Sequence, residues 1–326
     1  MKVFVADKFD QSGINQLEQL GCEVTYAPGT QGRHLTDAVA ETGCNILIVR
    51  STKVAAETMK AGHSLEMIIR AGAGTDTIDV AAATELGIRV CNCPGMNSVA
   101  VAELVLGMMI ALDRRIVDET DDLKRWVWNK NEYCKARGLK GRTLGIIGMG
   151  RVGCEVARRA AAFEMNILYH DVVERTDLEA KYGLRRVSLT QLLFESDFIT
   201  VHVPGGGDTK HLLGREEFAK MKPTAFVINT SRGGVIHETA LADAIESGKI
   251  AGAALDVYEI EPEVAKGEFK DPILTVPHVY GTHHVGASTE QAQTAVAEET
   301  VRIVKAYVEN GEVINCVNPP EMVHAT

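Results

Sequence analysis

Apolar residues recur along this chain in short runs, at 2–6, 22–26, 45–49, 66–70 and 88–92, and again at 144–147, 166–170, 198–203, 225–230 and 251–255. Runs this short, rich in Val and Ile and bounded by turn residues, predict strands, and the stretches between them carry helical periodicity. Each half of the chain therefore reads as β/α alternation. The expected fold class is α/β, with two Rossmann-like or flavodoxin-like domains built on parallel sheets. Residues 99–136 break the rhythm. The run 99–112 is the most apolar of the sequence, but it is interrupted by Glu103 and is too short to span a bilayer, so it predicts a buried helix. A polar stretch with Trp126 and Trp128 follows. The last helix, expected at 289–310, is amphipathic and exceeds what a second domain needs, which implies that the chain returns to the first. Crossings near Asn97 and Ser288 would then divide it into 1–97 plus 288–326 and 98–287, hinged about a cleft where a ligand is expected.

Composition narrows the range of functions. The 326 residues suffice for about two domains. A formal charge of −10 repels nucleic acid and anionic membrane surfaces. The N-terminus opens on a strand pattern without a charged leader or cleavage site, so a cytoplasmic location is expected. Of the seven cysteines only Cys91 and Cys93 are close in sequence, and with no second ligand cluster beside them they read as buried free thiols. His278, His283 and His284 lack the carboxylate motif that would complete a metal site, and no metal is expected. Gly205, Gly206 and Gly207 mark a flexible loop.

Residues 143–171, TLGIIGMGRVGCEVARRAAAFEMNILYHD, set a strand, a glycine turn, a small-residue helix and a second strand ending in Asp171 in that order. This is a dinucleotide fingerprint. Gly148 permits the tight turn, Gly150 admits a pyrophosphate to the backbone, and Gly153 lets the helix approach the sheet. Asp171 can accept both ribose hydroxyls of NAD and would repel the extra phosphate of NADP. Arg175 is the one nearby cation that could reverse that preference.

Three further segments fall at strand ends: NTSRGG at 229–234, ALDVYEIEP at 254–262 and THHVGAST at 282–289. They supply an Arg, an acid and a His, which suit hydride transfer at a carbon bearing a hydroxyl. Arg232 would fix a carboxylate and polarise the neighbouring carbonyl, His284 would move the hydroxyl proton, and Glu261 would hold His284 protonated. Taken singly, each also reads as an ion pair, a loop acid or a loop histidine.

Together these residues resemble the D-isomer-specific 2-hydroxyacid dehydrogenase family over nearly the whole chain. The resemblance implies catalytic roles for Arg232, Glu261 and His284. It implies an NAD site formed by Gly148, Gly150, Arg151, Val152, Gly153 and Asp171, with Val203, Pro204, Thr230 and Ser231 in the nicotinamide and ribose pocket and Asp256 on the carboxamide. In the first half, VRSTKV at 49–54, IRAGAGTD at 69–76 and PGMNSVAVAE at 94–103 are most like the phosphoglycerate dehydrogenase branch. Ala73 and Gly74 would then present backbone N–H groups to the substrate carboxylate, and Arg50, Lys53 and Arg70 could hold a phosphate. Two departures stand out: His283 replaces the usual Pro before the catalytic His, and Gly205–Gly207 replace a bulkier segment. The expected reaction is NAD-dependent interconversion of 3-phosphoglycerate and 3-phosphohydroxypyruvate, the entry to serine synthesis. Because the chain ends at Thr326, no feedback through a C-terminal regulatory domain is expected. A glycerate dehydrogenase or hydroxypyruvate reductase is the near alternative, and an NAD(H)-sensing corepressor is the alternative of another class. The resemblance also implies a homodimer built on 99–136.

Overall fold

Each run of β-branched residues forms a strand with its alternate side chains on opposite faces. The structure, a computed structural model, describes residues 1–262 and 266–319; the chain end at Thr326 lies outside them. Two compact units are present, Met1–Asn97 with Ser288–Thr326, and Ser98–Ala287.

The first unit holds β1 (Lys2–Val5), β2 (Glu23–Tyr26), β3 (Ile46–Val49), β4 (Met67–Arg70) and β5 (Arg89–Asn92), parallel throughout in the order β2-β1-β3-β4-β5. Val3, Val5, Ile46, Ile48, Met67 and Ile69 face one core, shared with Val301, Ile303 and Val304 of the helix Glu290–Asn310. Phe4, Leu47, Val49, Ile68 and Val90 face another, closed by Leu35, Val39 and Met59. Period-2 alternation thus fills both faces, and each such buried side chain contributes about 1.5–3 kcal/mol over leaving it in water. Thr289 caps the returning helix by accepting from the Ala292 N–H, and Gly311 ends it at φ 68°.

The second unit holds β6 (Thr143–Ile147), β7 (Asn166–His170), β8 (Arg185–Arg186), β9 (Phe198–Val201), β10 (Phe226–Asn229), β11 (Gly252–Leu255) and β12 (Val279–Gly281), in the order β12-β11-β10-β9-β6-β7-β8, again parallel. The order reverses between β6 and β9, and in open parallel sheets that switch point is where ligands bind, beyond the strands' carboxyl ends. The apolar run forms the helix Ser98–Arg114, which packs Ala102, Val105, Leu106, Met109 and Leu112 into the core against β10, β11 and the helix Arg151–Ala162. Among the described residues no helix is long and apolar enough to cross a membrane.

Hydrophobic patterning did not anticipate β8 and β12. Both are edge strands of two or three residues, and β8 consists of two exposed arginines, so neither leaves an apolar signature. Within the glycine loop, Gly207–Thr209 forms a 3-10 turn, and the Thr209 hydroxyl lies 2.6 Å from both the Pro204 and Gly206 carbonyls.

Candidate active site

The turn out of β6 has the shape a dinucleotide requires. Gly148 adopts φ 95°, and a Cβ there would stand 2.7 Å from the His202 carbonyl carbon and 3.0 Å from Val203 Cγ1. A Cβ on Gly153 would collide with the Gly148 carbonyl oxygen. Gly150 precedes the helix Arg151–Ala162 without a side-chain cap, and no atom lies within 4 Å of where its Cβ would be. The first-turn N–H groups of that helix therefore face open space suited to a phosphate. Arg151 is exposed there, and Val152 packs partly into the core. Asp171, just beyond β7, accepts from the Met149 N–H through one oxygen and from the Val173 N–H (2.8 Å) through the other, which fixes the carboxylate at the lip of the turn. Each oxygen retains a lone pair for a ribose hydroxyl. At the end of β10, Thr230 Oγ1 is buried without a hydrogen-bond partner, an orphaned polar atom next to Ser231. These residues fit a dinucleotide. Arg175 is not the one cation near Asp171: its Nε donates to the Met149 carbonyl (2.9 Å), and Arg186 also reaches the Asp171 carbonyl through Nε and Nη2 (3.2 and 2.9 Å).

Three strand-end loops of the same unit bring Arg232, Glu261 and His284 together. Asn229, 1% exposed, accepts from the Ser231 N–H (3.0 Å) and Ser231 hydroxyl (2.8 Å) and donates to the Arg232 carbonyl (2.9 Å), so one amide fixes the whole Ser231–Arg232 turn. Gly233 lies against the Tyr258–Glu259 peptide so closely that any Cβ would strike it. Gly205 lies against the Arg232 side chain, where a Cβ would meet Cγ at 2.9 Å. The missing side chains let the arginine loop pack directly on its neighbours.

Glu261 accepts from the Tyr258 N–H through Oε1 (3.1 Å) and bonds His284 Nδ1 through Oε2 (2.7 Å). Burial works to raise the Glu261 carboxyl, but the bond and charge of His284, the Tyr258 N–H and the Arg232 charge outweigh it and hold it below its ordinary value. The bond to Glu261 pushes His284 up against an opposing effect of burial. His284 is thus a half-exposed imidazole that stays protonated to higher pH than a free histidine, with Nδ1 engaged and Nε2 left for chemistry.

The backbone of His284 is left-handed, φ 53°. Few non-glycine residues adopt this region, and contacts from the surroundings help to hold them there. Asp256, 1% exposed, supplies such contacts: Oδ1 accepts from the Thr282 hydroxyl and the Val285 N–H (2.9 Å), and Oδ2 from the Gly286 N–H (2.8 Å). The Tyr258 hydroxyl adds a bond to the Thr282 carbonyl (3.0 Å). What the structure shows at Asp256 is therefore an anchor for the His284 loop, and any contact with a carboxamide would have to share those oxygens. His283 needs no rigid ring to hold its neighbour, because Asp256 holds the loop from both sides. His278 pairs instead with Asp118 (3.5 Å), and among the described residues no three His, Cys, Asp or Glu side chains form a metal-sized group.

In the first unit, Arg70 ends β4 opposite Val49, and Arg50 follows β3, so both stand at the carboxyl ends of neighbouring strands. The Asp7 carboxylate accepts from the N–H groups of Arg50 (2.6 Å), Ser51 (3.1 Å) and Thr52 (3.0 Å), which orders the loop leading to exposed Lys53. Arg50 Nη2 donates to Ser288 Oγ (3.4 Å). The Arg70 guanidinium lies over Gly72, at φ 154°, where a Cβ would strike it, and Asn92 Nδ2 holds the Ala73 carbonyl (2.5 Å) before Gly74.

Residues 106–286 match the family model described as the NAD binding domain of D-isomer specific 2-hydroxyacid dehydrogenases. The chain belongs to that family. Among D-2-hydroxyacid dehydrogenase relatives, a D-3-phosphoglycerate dehydrogenase of Methanocaldococcus jannaschii is 42% identical over 98% of this chain, which spans only 60% of that protein's length. A hydroxypyruvate reductase of Thermotoga maritima is 46% identical over 79% of this chain and 82% of its own. A crystal structure of an Aquifex aeolicus D-lactate dehydrogenase, complexed with NAD and lactic acid, superposes with a TM-score of 0.82 at 29% identity, covering 98% of this chain and all of its own.

The sequence points to Arg232, Glu261 and His284, which the structure brings together, but not to the residues that hold their loops. Asn229 and Tyr258 stand inside the motifs without an assigned role, and Asp7 stands outside them. For Asn229 and Asp7 the available signal is a short polar residue where an apolar run ends, where burial obliges it to find partners.

Proposed function

We propose that this chain is an NAD-dependent dehydrogenase that interconverts a D-2-hydroxy acid and its 2-oxo acid, with 3-phosphoglycerate and 3-phosphohydroxypyruvate as the pair. The observation that carries the reading is the His284 to Glu261 bond of 2.7 Å, with the Arg232 charge acting on both partners. When bound, NAD supplies the hydride acceptor and NADH the donor. Arg232 binds the substrate carboxylate and polarises the adjacent carbonyl. During oxidation His284 takes the hydroxyl proton on Nε2, and Glu261 stabilises the imidazolium so formed. During reduction the same nitrogen returns the proton to the carbonyl oxygen. Asp171 binds the ribose hydroxyls, which favours NAD over NADP.

Arg50, Lys53 and Arg70 support the phosphorylated substrate, since a dianion is better held by several cations than by a neutral pocket. The identity to the hydroxypyruvate reductase supports the unphosphorylated alternative. In the second unit, Trp126 and Trp128 are 96% and 79% exposed beside exposed Ile116, Val117, Leu123 and Val127, which supports a homodimer through this apolar surface. The test is kcat/KM for 3-phosphoglycerate and glycerate in wild type, Arg50→Ala and Arg70→Ala. The phosphate reading expects losses confined to the phosphorylated acid. Equal losses on both acids, or a wild-type preference for glycerate, assign the chain to the glycerate reading. Absence of turnover with every 2-hydroxy acid would leave only a nucleotide-binding role.

A further inference from the structure

The outer edge of the first unit's sheet carries a pair of opposed thiols that the proposed reaction does not use. β5 is the last strand of that sheet, and the segment after the returning helix pairs with it. The Asn92 N–H donates to the Asn315 carbonyl (3.3 Å), and the Val317 N–H donates to the Val90 carbonyl (2.8 Å). Asn318, 4% exposed, accepts from the Val90 N–H (2.7 Å) and donates to Thr84 Oγ1 (3.0 Å) and the Ile88 carbonyl (2.9 Å). This register sets Cys91 directly opposite Cys316 in an antiparallel bridge.

The hydrogen bonds flank the two cysteines rather than join them, so they form the narrow type of antiparallel pair, with Cα atoms about 4.5 Å apart. A disulfide accepts Cα separations of about 4.4–6.8 Å. Both side chains pack into the same apolar cluster, so they project from the same face, and both thiols are free. Cys93, two residues along β5, has its thiol against Thr300 Oγ1 (3.3 Å) instead.

We infer that Cys91 and Cys316 are a peroxide-oxidisable pair that closes a covalent latch between the edge strand and the terminal segment. Exposure sets the order of events. Cys316 is partly exposed, whereas Cys91 is fully buried, and burial together with the neighbouring Cys316 pushes the Cys91 thiol up to about 12. The Cys316 thiolate attacks hydrogen peroxide: an S–O bond forms, the O–O bond breaks, and the departing hydroxide takes up a proton to become water. Cys91 then gives up its proton and attacks the sulfenic sulfur, so that the S–S bond forms, the S–O bond breaks and a second water leaves. Two thiols have lost two electrons, and one peroxide has become two waters. The latch fixes the segment that covers an otherwise open sheet edge, just before the chain leaves this unit at Asn97.

The experiment treats the reduced Cys134→Ser chain with hydrogen peroxide, the exposed thiol being removed to prevent coupling between molecules. A peptide map under non-reducing conditions follows. The expected product joins the Cys91 and Cys316 peptides with the loss of two hydrogens and is reversed by dithiothreitol. Amide exchange at Val90, Asn92 and Val317 slows in the oxidised form. Adding Cys316→Ser or Cys91→Ser abolishes the link, and adding Cys93→Ser leaves it. A map of the parent chain that shows Cys316 as sulfenic or sulfinic acid beside a free Cys91 thiol overturns the inference. So does a link from Cys316 to Cys93, or no oxidation of Cys316 at all.

Discussion

Replacing Asp256 by Asn removes a charge and turns one acceptor into a donor, which makes it a quantitative probe of the loop that carries His284. The native carboxylate accepts from the Thr282 hydroxyl, the Val285 N–H and the Gly286 N–H while 1% exposed. Whichever way the new amide lies, one backbone N–H faces an NH2 group and loses its acceptor. The Thr282 hydroxyl can rotate to accept, and Val285 is more exposed than buried Gly286, so the amide oxygen should turn toward Gly286. A hydrogen bond to a charged group is worth about 1.5–3 kcal/mol, and the survivors lose their charge assistance, so the cost should be about 2–4 kcal/mol. Urea unfolding should show a lower midpoint with unchanged slope. The slackened loop should also lower kcat, because His284 is held less firmly in its left-handed backbone. A stability loss below about 0.5 kcal/mol accompanied by a higher KM for NADH would refute the reasoning, since it would mean that the carboxylate acts on the cofactor and not on the loop.

Glu261→Gln should shift the falling limb of the pH profile for reduction to lower pH. Glu261 raises His284, so the protonated acid needed for reduction is lost as pH rises through that raised value, and earlier without the counter-charge; an unmoved limb in kcat/KM against pH would separate Glu261 from this role. Asp171→Ala should weaken NAD and narrow the preference over NADP, measured as the ratio of kcat/KM for the two cofactors. With Arg175 and Arg186 both beside Asp171, NADP use should rise and not merely persist. Gly233→Ala should remove most activity and lower stability together, because its Cβ would strike the Tyr258–Glu259 peptide; a variant of wild-type Tm and kcat would show that the two loops need not touch.

The parallel sheets were legible because their inner strands are short, mostly apolar runs such as Ile46–Val49, Phe198–Val201 and Gly252–Leu255, separated by turns that carry glycine, aspartate and asparagine. The glycine turn after β6 was legible because Gly148, Gly150, Gly153 and Asp171 each answer to a separate steric or electrostatic demand within one short stretch of sequence. β8 and β12 were not, because an edge strand of two or three residues buries too little to impose a pattern. Asp256 and Asn229 were visible as residues, but their work as anchors depends on contacts that sequence does not display: Asp256 reaches thirty residues onward, to Gly286. The left-handed backbone at His284 was not legible either, since the bonds that hold its loop come from Asp256, distant in sequence. The pairing of Cys91 with Cys316 joins positions far apart in the chain, and only the register of the terminal segment reveals it.

The central claim is that His284 moves the proton in a hydride transfer. It is tested most directly by following NADH oxidation in single turnovers with 3-phosphohydroxypyruvate in wild type and in His284→Ala. Positioned acids and bases contribute about a hundredfold to ten-thousandfold, so the account predicts a fall of that size in the turnover rate with NADH affinity little changed. A variant that oxidises NADH at a rate close to wild type across the pH range would contradict it.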